Sequence, residues 1–282
     1  NLTPTYSTDE INQNQLYTYE LLNAIYRKDP LPNNTIPNSD SWMKILGIKG
    51  SKLNNDDFKD LHSLMNLSSI LKKLFNNENF KNWTYLSSTI ELLTAEKKNI
   101  EKIFDDKFQI KKDASRSLII INDKIDSVND EVKAKLNSIF KKCVENNWLQ
   151  ENKLFWKNGR TVLPIISKYK RKIKGVIYSE SSTNQTSFIE PIEIINLNNE
   201  IYNLNINKKI EENRILLELT SLIYKKVDSI KSIINLINNY DKHHAISKLA
   251  FDTKSVRPNI ADNNKLNIEQ GIDELRYNKI VI

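Results

Sequence analysis

The chain has 282 residues, of which 39% are hydrophobic and 27% are charged, and this length allows one large or two ordinary domains with a buried core. It contains only five glycines and one cysteine. No two of the glycines have the spacing of a P-loop or of a dinucleotide-binding fingerprint, which excludes nucleotide binding through a glycine-rich cradle. A single cysteine excludes a disulfide framework and a multi-cysteine zinc site.

The sequence carries no signal for a membrane or for secretion. No apolar run approaches the ~18 residues of a membrane span, and no basic-then-apolar segment opens the chain. We therefore expect a cytoplasmic protein with no membrane partner. The first residue is not Met, and the last residues, Lys279–Ile282, resemble a strand cut in mid-course. We expect the sequence to be a piece of a longer protein.

The net charge of +7 is concentrated in one segment. The thirty residues from Glu151 to Glu180 contain eight lysines and arginines and two glutamates, a net charge of +6, which leaves +1 for the other 252 residues. A local excess of this kind attracts a polyanion and displaces its counterions. The alternative is a solvated turn in a lysine-rich protein.

Residues 1–112 predict a helical core of several medium helices. The first is Tyr17–Tyr26, which must end before Pro30. The polar run Leu53–Asp57 resembles a cap and predicts a second helix with one broad apolar face. Two more helices are expected at Trp83–Leu93 and Thr94–Phe104, and nothing in this region has catalytic spacing.

Residues 113–150 predict one long outgoing helix. Asp113-Ala114-Ser115 is a helix-start signal. Apolar residues then recur every three or four positions, namely Leu118, Ile121, Ile125, Val128, Val132, Leu136, Ile139 and Cys143. So narrow an apolar stripe is typical of a helix with one partner helix.

The periodicity changes to that of β structure in residues 151–195. Asn158-Gly159 lies between two apolar runs and predicts a hairpin with a type I′ turn. Two further strands are predicted at Ile173–Tyr178 and Thr186–Glu190, joined by the polar loop Ser179–Gln185. The prolines of this segment, Pro164 and Pro191, are expected at strand edges or ends.

Residues 196–240 predict a long returning helix with a second apolar stripe, formed by Leu216, Leu219, Ile223, Val227, Ile230, Ile234 and Ile237. The two long helices are expected to pair antiparallel, with the β module at their far end. Residues 241–282 predict a short helix, His243–Asp252, and an irregular tail. The fold class is therefore mainly α with a small β insertion.

Five segments in this order resemble motifs of the MutS family, particularly its second bacterial branch: Lys112–Ser115, Asn158–Ile165, Lys170–Val176, Thr186–Pro191 and Leu197–Glu200. The resemblance implies a helical core, two lever helices and a β clamp module at their tip. It also implies that 241–282 leads toward an ATPase domain missing from this sequence, that the parent binds ATP and Mg, and that it forms a homodimer.

The sequence departs from that branch at two places. Tyr178-Ser179 stands where the branch carries His-Asp, and Thr183-Asn184 replaces a Ser-Gly. The role of this loop in relatives is therefore not carried over. No catalytic constellation is present, so we expect this chain itself to be non-enzymatic and to hold no cofactor or metal.

The leading hypothesis for function is a clamp that binds the phosphate backbone of mismatched or branched DNA without reading its sequence. The residues expected to bind nucleic acid are Lys157, Arg160, Lys168, Lys170, Arg171, Lys172 and Lys174. The same residues could bind structured RNA, for example on a ribosome. A third hypothesis is a purely structural coiled-coil rod for dimerisation, whose basic tip touches nothing specific.

Several conspicuous side chains are expected to be structural. His243 and His244 are adjacent on a predicted helix and point about 100° apart, so they cannot chelate one metal together. Cys143 continues an apolar stripe and is expected to be packed. Trp156 is expected to pack in a core, with contact to a ligand as the alternative. The residues alone give no reason for the acidic side chain of Glu190.

Overall fold

The computed structural model describes residues 7–33, 35–157 and 159–260. Over these residues the chain forms eight α-helices and one four-stranded antiparallel sheet, so the mainly α class with a small β insertion is confirmed. The helices are α1 (Thr8–Arg27), α2 (Asp40–Leu46), α3 (Asn55–Phe75), α4 (Lys81–Ser88), α5 (Thr94–Ile103), α6 (Arg116–Glu145), α7 (Ile195–Tyr224) and α8 (Val227–Asp252). No helix in these ranges is both long and apolar enough to span a bilayer.

The chain divides into two compact units. Of the described residues, the first unit contains 7–33, 67–90 and 235–260, and the second contains 35–66 and 91–234. The basic segment and the whole sheet belong to the second unit. The division predicted from the sequence, into residues 1–112, 113–150, 151–195, 196–240 and 241–282, remains a prediction.

The core of the first unit is built around Trp83, whose side chain is fully buried. Its ring stacks on Phe75 with centroids 4.7 Å apart and lies 4.8 Å from Tyr17. The indole Nε1 donates to the backbone oxygen of Tyr17 at 3.0 Å. This hydrogen bond satisfies the one polar group of a side chain that is otherwise buried for its apolar area.

Capping side chains fix the starts of two helices that the sequence predicted, α3 and α6. Asn54 and Asp57 form a reciprocal capping box, in which each side chain accepts from the other residue's backbone N–H at 2.9–3.0 Å. Ser115 Oγ accepts from the backbone N–H of Leu118 at 3.1 Å and begins α6. Both helix-start predictions are confirmed.

Helices α6 and α7 pack against each other in antiparallel orientation. Ser115 bonds Glu211, and Lys124 forms an ion pair with Glu200, so positions advance along α6 as they recede along α7. The predicted stripe on α6 is the packed one: its most buried members are Leu118, Val128, Val132, Leu136 and Cys143.

The pairing of these helices covers only part of α6. Because Lys124 lies beside Glu200, the start of α7 at Ile195 falls near the middle of α6. The second half of α6 packs instead against the sheet, in one buried cluster that joins Leu136 and Cys143 to Leu163, Ile165 and Ile189. The β module therefore packs along the second half of α6. The sequence had predicted that the two helices pair over their whole length and that the module lies beyond their ends.

The sheet has the strand order β1-β2-β4-β3, with β1 at Phe155–Lys157, β2 at Arg160–Ile166, β3 at Gly175–Glu180 and β4 at Thr186–Pro191. The predicted hairpin is present: Lys157 pairs with Arg160 and Phe155 with Val162. Gly159 has φ +78°, the left-handed region that this turn requires. Asn158, the other turn residue, lies outside the described residues.

Pro164 lies in the middle of β2, although it was expected at the edge or the end of a strand. Its carbonyl oxygen accepts from the backbone N–H of Gln150 at 2.9 Å. Since the N and C=O of a strand residue point the same way, the missing N–H also faces Gln150, and no bond to β4 is lost. Pro191, by contrast, ends β4 as expected.

The predicted returning helix is two helices. A turn at Lys225 and Lys226 separates α7 from α8, and the helix expected to begin at His243 is the last part of α8. Glu91 accepts from the Nζ of Lys226 at 2.5 Å and from the Oγ of Ser229 at 2.7 Å, so its carboxylate binds the junction and the first turn of α8. The junction contains neither glycine nor proline, which is why the apolar stripe runs through it in the sequence.

Candidate nucleic-acid interface

The segment from Ser167 to Lys174 connects β2 to β3 across the sheet. Both strands are antiparallel to β4, so they are parallel to each other, and the chain must cross from one end of the sheet to the other. It does so in a 3₁₀ helix, Ser167–Lys172, and two further residues. We call residues 167–174 the basic crossover.

The basic crossover is anchored by its apolar residues. Tyr169 and Ile173 pack against the buried cluster shared by the sheet and α6, and the Tyr169 ring lies 6.4 Å from that of Trp148. At the start of the segment, Ser167 Oγ donates to the backbone oxygen of Asn184 at 2.7 Å. The lysines and the arginine between these anchors are left on the solvent side.

Three cations of the crossover are exposed and unpaired. Within the described parts of the chain, no carboxylate lies within 4.0 Å of Arg171, Lys172 or Lys174, and all three residues are exposed. Solvated cations without an intramolecular partner can neutralise phosphates without first breaking an ion pair.

Three other predicted site lysines make contacts of their own. The ammonium of Lys157 lies 4.5 Å from the centre of the Phe188 ring, and that of Lys168 lies 4.7 Å from the Tyr169 ring. Lys170 forms a half-exposed ion pair with Glu180 at 3.2 Å. Cation–π contacts leave the full charge in place, whereas the charge of Lys170 is partly compensated.

Arg160 is held inside the β module. Its Nη1 donates to both carboxylate oxygens of Glu190, at 2.8 and 3.1 Å, and its Nη2 donates to Asn199 Oδ1 at 2.5 Å. The Glu190 side chain is only 4% exposed. A buried carboxylate needs a paired cation, so Arg160 compensates Glu190 and is not equivalent to the crossover cations. This pair also supplies the reason for the acidic side chain of Glu190.

Asn198, on the first turn of α7, completes this network and was not singled out from the sequence. Its Nδ2 donates to Glu190 Oε1 at 2.7 Å and to the backbone oxygen of Thr161 at 3.3 Å, and its Oδ1 accepts from the Thr161 N–H. The fully buried carboxamide thus hydrogen-bonds the backbone N–H and C=O of Thr161, at the end of β2 that does not pair with β4. The only sequence signal was its place in the Leu197–Glu200 motif.

Gly175 allows β3 to approach β4 closely at the end of the crossover. A Cβ at this position would lie 2.2 Å from the backbone oxygen of Glu190, a distance that no side chain tolerates. The glycine therefore fixes where Lys174 leaves the sheet.

The two departures from the branch, one in β3 and one in the loop that follows it, have structural consequences. Tyr178 occupies the β-bulge in β3, and its ring lies 5.7 Å from the guanidinium of Arg160. Asn184 adopts φ +55°, so an asparagine takes the left-handed conformation that a loop glycine adopts freely.

The expectation that Trp156 packs in a core is wrong. The side chain is 59% exposed on the edge strand β1. Val176 and Ile177 on the opposite edge strand, β3, are 53% and 44% exposed, and Ile192, directly after β4, is 60% exposed. The sequence of an apolar strand does not show whether it will lie at the edge or in the middle of a sheet. The exposure of these side chains could therefore not be predicted.

The remaining candidates have structural surroundings. Cys143 is fully buried, and burial raises the pKa of its thiol. His243 is buried in the first unit, where its Nδ1 lies 2.9 Å from Thr18 Oγ1. Over the described ranges, no group of three or more His, Cys, Asp or Glu side chains could hold a metal ion.

Comparison with known proteins gives a consistent set of relatives. The chain is 27% identical over 286 residues to a protein named Endonuclease MutS2 from Alkaliphilus oremlandii, a match that covers 99% of this chain. Proteins of the same name from Caldanaerobacter subterraneus and Clostridium acetobutylicum are 30% identical over 199 residues and 34% identical over 163 residues, or 71% and 58% of this chain. These similarities support a MutS-related family.

The chain spans about a third of the length of such relatives, since its match covers 36% of the Alkaliphilus protein. The shorter matches cover 25% and 20% of the Caldanaerobacter and Clostridium proteins. No protein-family model matches the chain.

Proposed function

We propose that this chain is the core and clamp part of a MutS-type protein and that its basic crossover binds the phosphate backbone of DNA. The observation that carries the proposal is the exposure of Arg171, Lys172 and Lys174, which have no carboxylate partner among the described residues. The name shared by the relatives, Endonuclease MutS2, supports a nucleic acid as the polyanion.

Binding of this kind is independent of sequence. Lysine ammonium groups are compact point charges that attract phosphates, whereas sequence is read by hydrogen bonds to base edges. The crossover is a short 3₁₀ helix lying across a sheet, and its cations stand on the solvent side. Affinity should therefore fall steeply as salt rises. In a plot of the logarithm of the binding constant against the logarithm of the salt concentration, the slope should be about −0.9 for each phosphate neutralised on duplex DNA.

The parent protein is proposed from the resemblance. In it α6 and α7 act as levers, the β module acts as the clamp, and two copies embrace mismatched or branched DNA in the cytoplasm. ATP and Mg would be bound by an ATPase domain outside this chain and would drive the movement of the levers. This chain contributes binding and no catalysis, so the endonuclease activity in the relatives' name would also belong to another part.

Of the seven predicted site residues, six remain in the proposed interface. Arg171, Lys172 and Lys174 form its centre, Lys168 and Lys170 belong to the same segment, and Lys157, on the edge strand β1, is kept for its charge. Arg160 is assigned to holding the module together, because its guanidinium is bonded to Glu190 and Asn199.

The test is the salt dependence of binding to a four-way DNA junction. The variant Arg171→Gln/Lys172→Gln/Lys174→Gln is compared with Lys98→Gln/Lys102→Gln/Lys107→Gln, a matched loss of three exposed charges elsewhere in the same unit. The crossover variant should bind more weakly and with a salt slope lower by about 0.9 for each lost phosphate contact. The control should behave as the parent sequence does.

Two results would overturn the proposal. One is an unchanged affinity and slope in the crossover variant, which would favour a purely structural role for the helices. The other is displacement of the junction by structured RNA or ribosomes at matched salt and far lower concentration, which would favour RNA as the partner.

A further inference from the structure

An apolar patch borders the unpaired cations at the β3 edge of the sheet. Val176 is 53% exposed and Ile192 is 60% exposed. We call these two residues the apolar edge. β3 stands at one end of the strand order and, over the described residues, pairs only with β4.

Hydrogen bonds and strand pairing place this patch next to Lys174. The backbone N–H of Ile192 donates to the backbone oxygen of Lys174 at 3.1 Å, and Gly175 pairs with Pro191. Val176 is two residues after Lys174, so the two side chains lie on the same face of the strand. A free ammonium and two branched aliphatic side chains therefore share one small surface.

A fully paired duplex exposes little apolar surface that could contact these aliphatic side chains. Its accessible outer parts are phosphates and sugars, and its base faces are hidden by stacking, so aliphatic side chains beside the cations would remain in water. Apolar wedges do enter nucleic acids where a base step is unstacked, and isoleucine is one of the residues used. The cost of unstacking is lowest where the stack is already interrupted.

We propose that Val176 and Ile192 contact the face of an unstacked base while Lys172 and Lys174 bind the flanking phosphates. The apolar edge would thereby make the clamp selective for nucleic acid with interrupted stacking, and the cations would supply affinity for any duplex. This inference rests on the proposed function, because the cations must first bring nucleic acid to the edge of the sheet.

The test separates the apolar contribution from the ionic one. Val176→Thr/Ile192→Thr keeps a β-branched side chain at both positions but adds a hydroxyl group to each. The matched control, Ile120→Thr/Ile210→Thr, changes two isoleucines that are 59% and 62% exposed on α6 and α7. Each protein is titrated with a fully paired duplex and with the same duplex carrying one bulged 2-aminopurine, over a range of salt.

The preference of the edge variant for the bulged duplex should be about tenfold lower, a loss similar to that caused by one wrong base pair in a specific binding site. Its salt slope should be unchanged. The fluorescence of 2-aminopurine should change on binding of the parent sequence and change less with the edge variant. The control variant should retain both the preference and the fluorescence change.

Other outcomes are informative in different ways. If the parent sequence binds neither duplex, the proposed function itself fails. If it binds both with a steep salt dependence and the edge variant keeps the same preference, only the present inference fails. If the edge variant instead dissociates a dimer of the chain, the apolar edge is an interface between copies and the inference is overturned.

Discussion

Arg160 and Glu190 form a two-point ion pair that joins the first hairpin of the β module to its central strand β4. The residues are 30 positions apart in the sequence, and their nitrogen–oxygen distances are 2.8 and 3.1 Å. Asn198 and Asn199 bond the same two side chains from α7. Sheet and helix therefore meet at one compensated charge.

Removing the cation of this pair should destabilise the protein strongly. Arg160→Met leaves the carboxylate of Glu190 buried without compensation, and the free energy of unfolding should fall by about 3 kcal/mol. Urea unfolding at pH 7 measures the change. Adding Glu190→Gln removes the charge but keeps an oxygen for Asn198, so the double variant should recover part of the loss. A double variant no more stable than Arg160→Met would contradict this account.

Gly175→Ala should separate β3 from β4. The new Cβ would lie 2.2 Å from the Glu190 carbonyl oxygen, so the strands must move apart at a cost of about 2 kcal/mol in unfolding free energy. Gly47→Ala is the matched control, since its Cβ would meet only ordinary contacts at 3.5 Å. Thermal unfolding of both variants compares them. Equal melting temperatures would show that the close approach does not constrain the sheet.

Glu211 should make stability depend on pH in the acid range. Hydrogen bonds from Arg214 and Ser115 lower the pKa of its carboxyl from 4.5 to about 2. Because the pKa is lower in the folded protein, the stabilisation is complete above about 4.5 and is lost as pH falls towards 2.

Glu211→Gln should flatten this acid limb, whereas Glu218→Gln, which removes the exposed partner of the same arginine, should leave most of it. Unfolding free energies measured between pH 5 and pH 2 provide the comparison. An acid limb of equal slope in all three proteins would refute the assignment.

His243 should produce a second pH dependence, closer to neutrality. Burial, with a smaller contribution from Lys242, lowers its pKa from 6.5 to about 4. The unfolded chain therefore takes up the proton first, and the free energy of unfolding should decrease as pH falls from about 6.5 to about 4. His243→Gln should remove most of this slope, the rest coming from His244, whose pKa burial also lowers, and the matched change His62→Gln should retain it. The idea fails if the slope is undiminished in His243→Gln.

The sequence was informative wherever the determinants are local. The stripe and Ser115 cap of α6, the capping box before α3 and the Gly159 turn depend on neighbouring residues, and each was found. The junction between α7 and α8 was missed because it contains no helix breaker and is bonded by Glu91, more than 130 positions away.

The candidate site was predictable only in part, for the same physical reason. The exposed cations of the crossover follow from charge density, which the sequence displays directly. The pairing of Arg160 with Glu190 and the exposure of Trp156 depend on strand order. Strand order is set by the parallel crossover between β2 and β3, which local patterns do not specify.

The basic crossover is fastened at three places: at Ser167, at Tyr169 and Ile173, and at Gly175. The backbone that carries its charges is thus ordered before any ligand arrives. A loose lysine-rich tail loses backbone entropy when it binds a polyanion, whereas this segment has lost its backbone entropy on folding. Preorganisation of this kind lets a handful of cations bind as a unit, with a geometry set by the sheet beneath them.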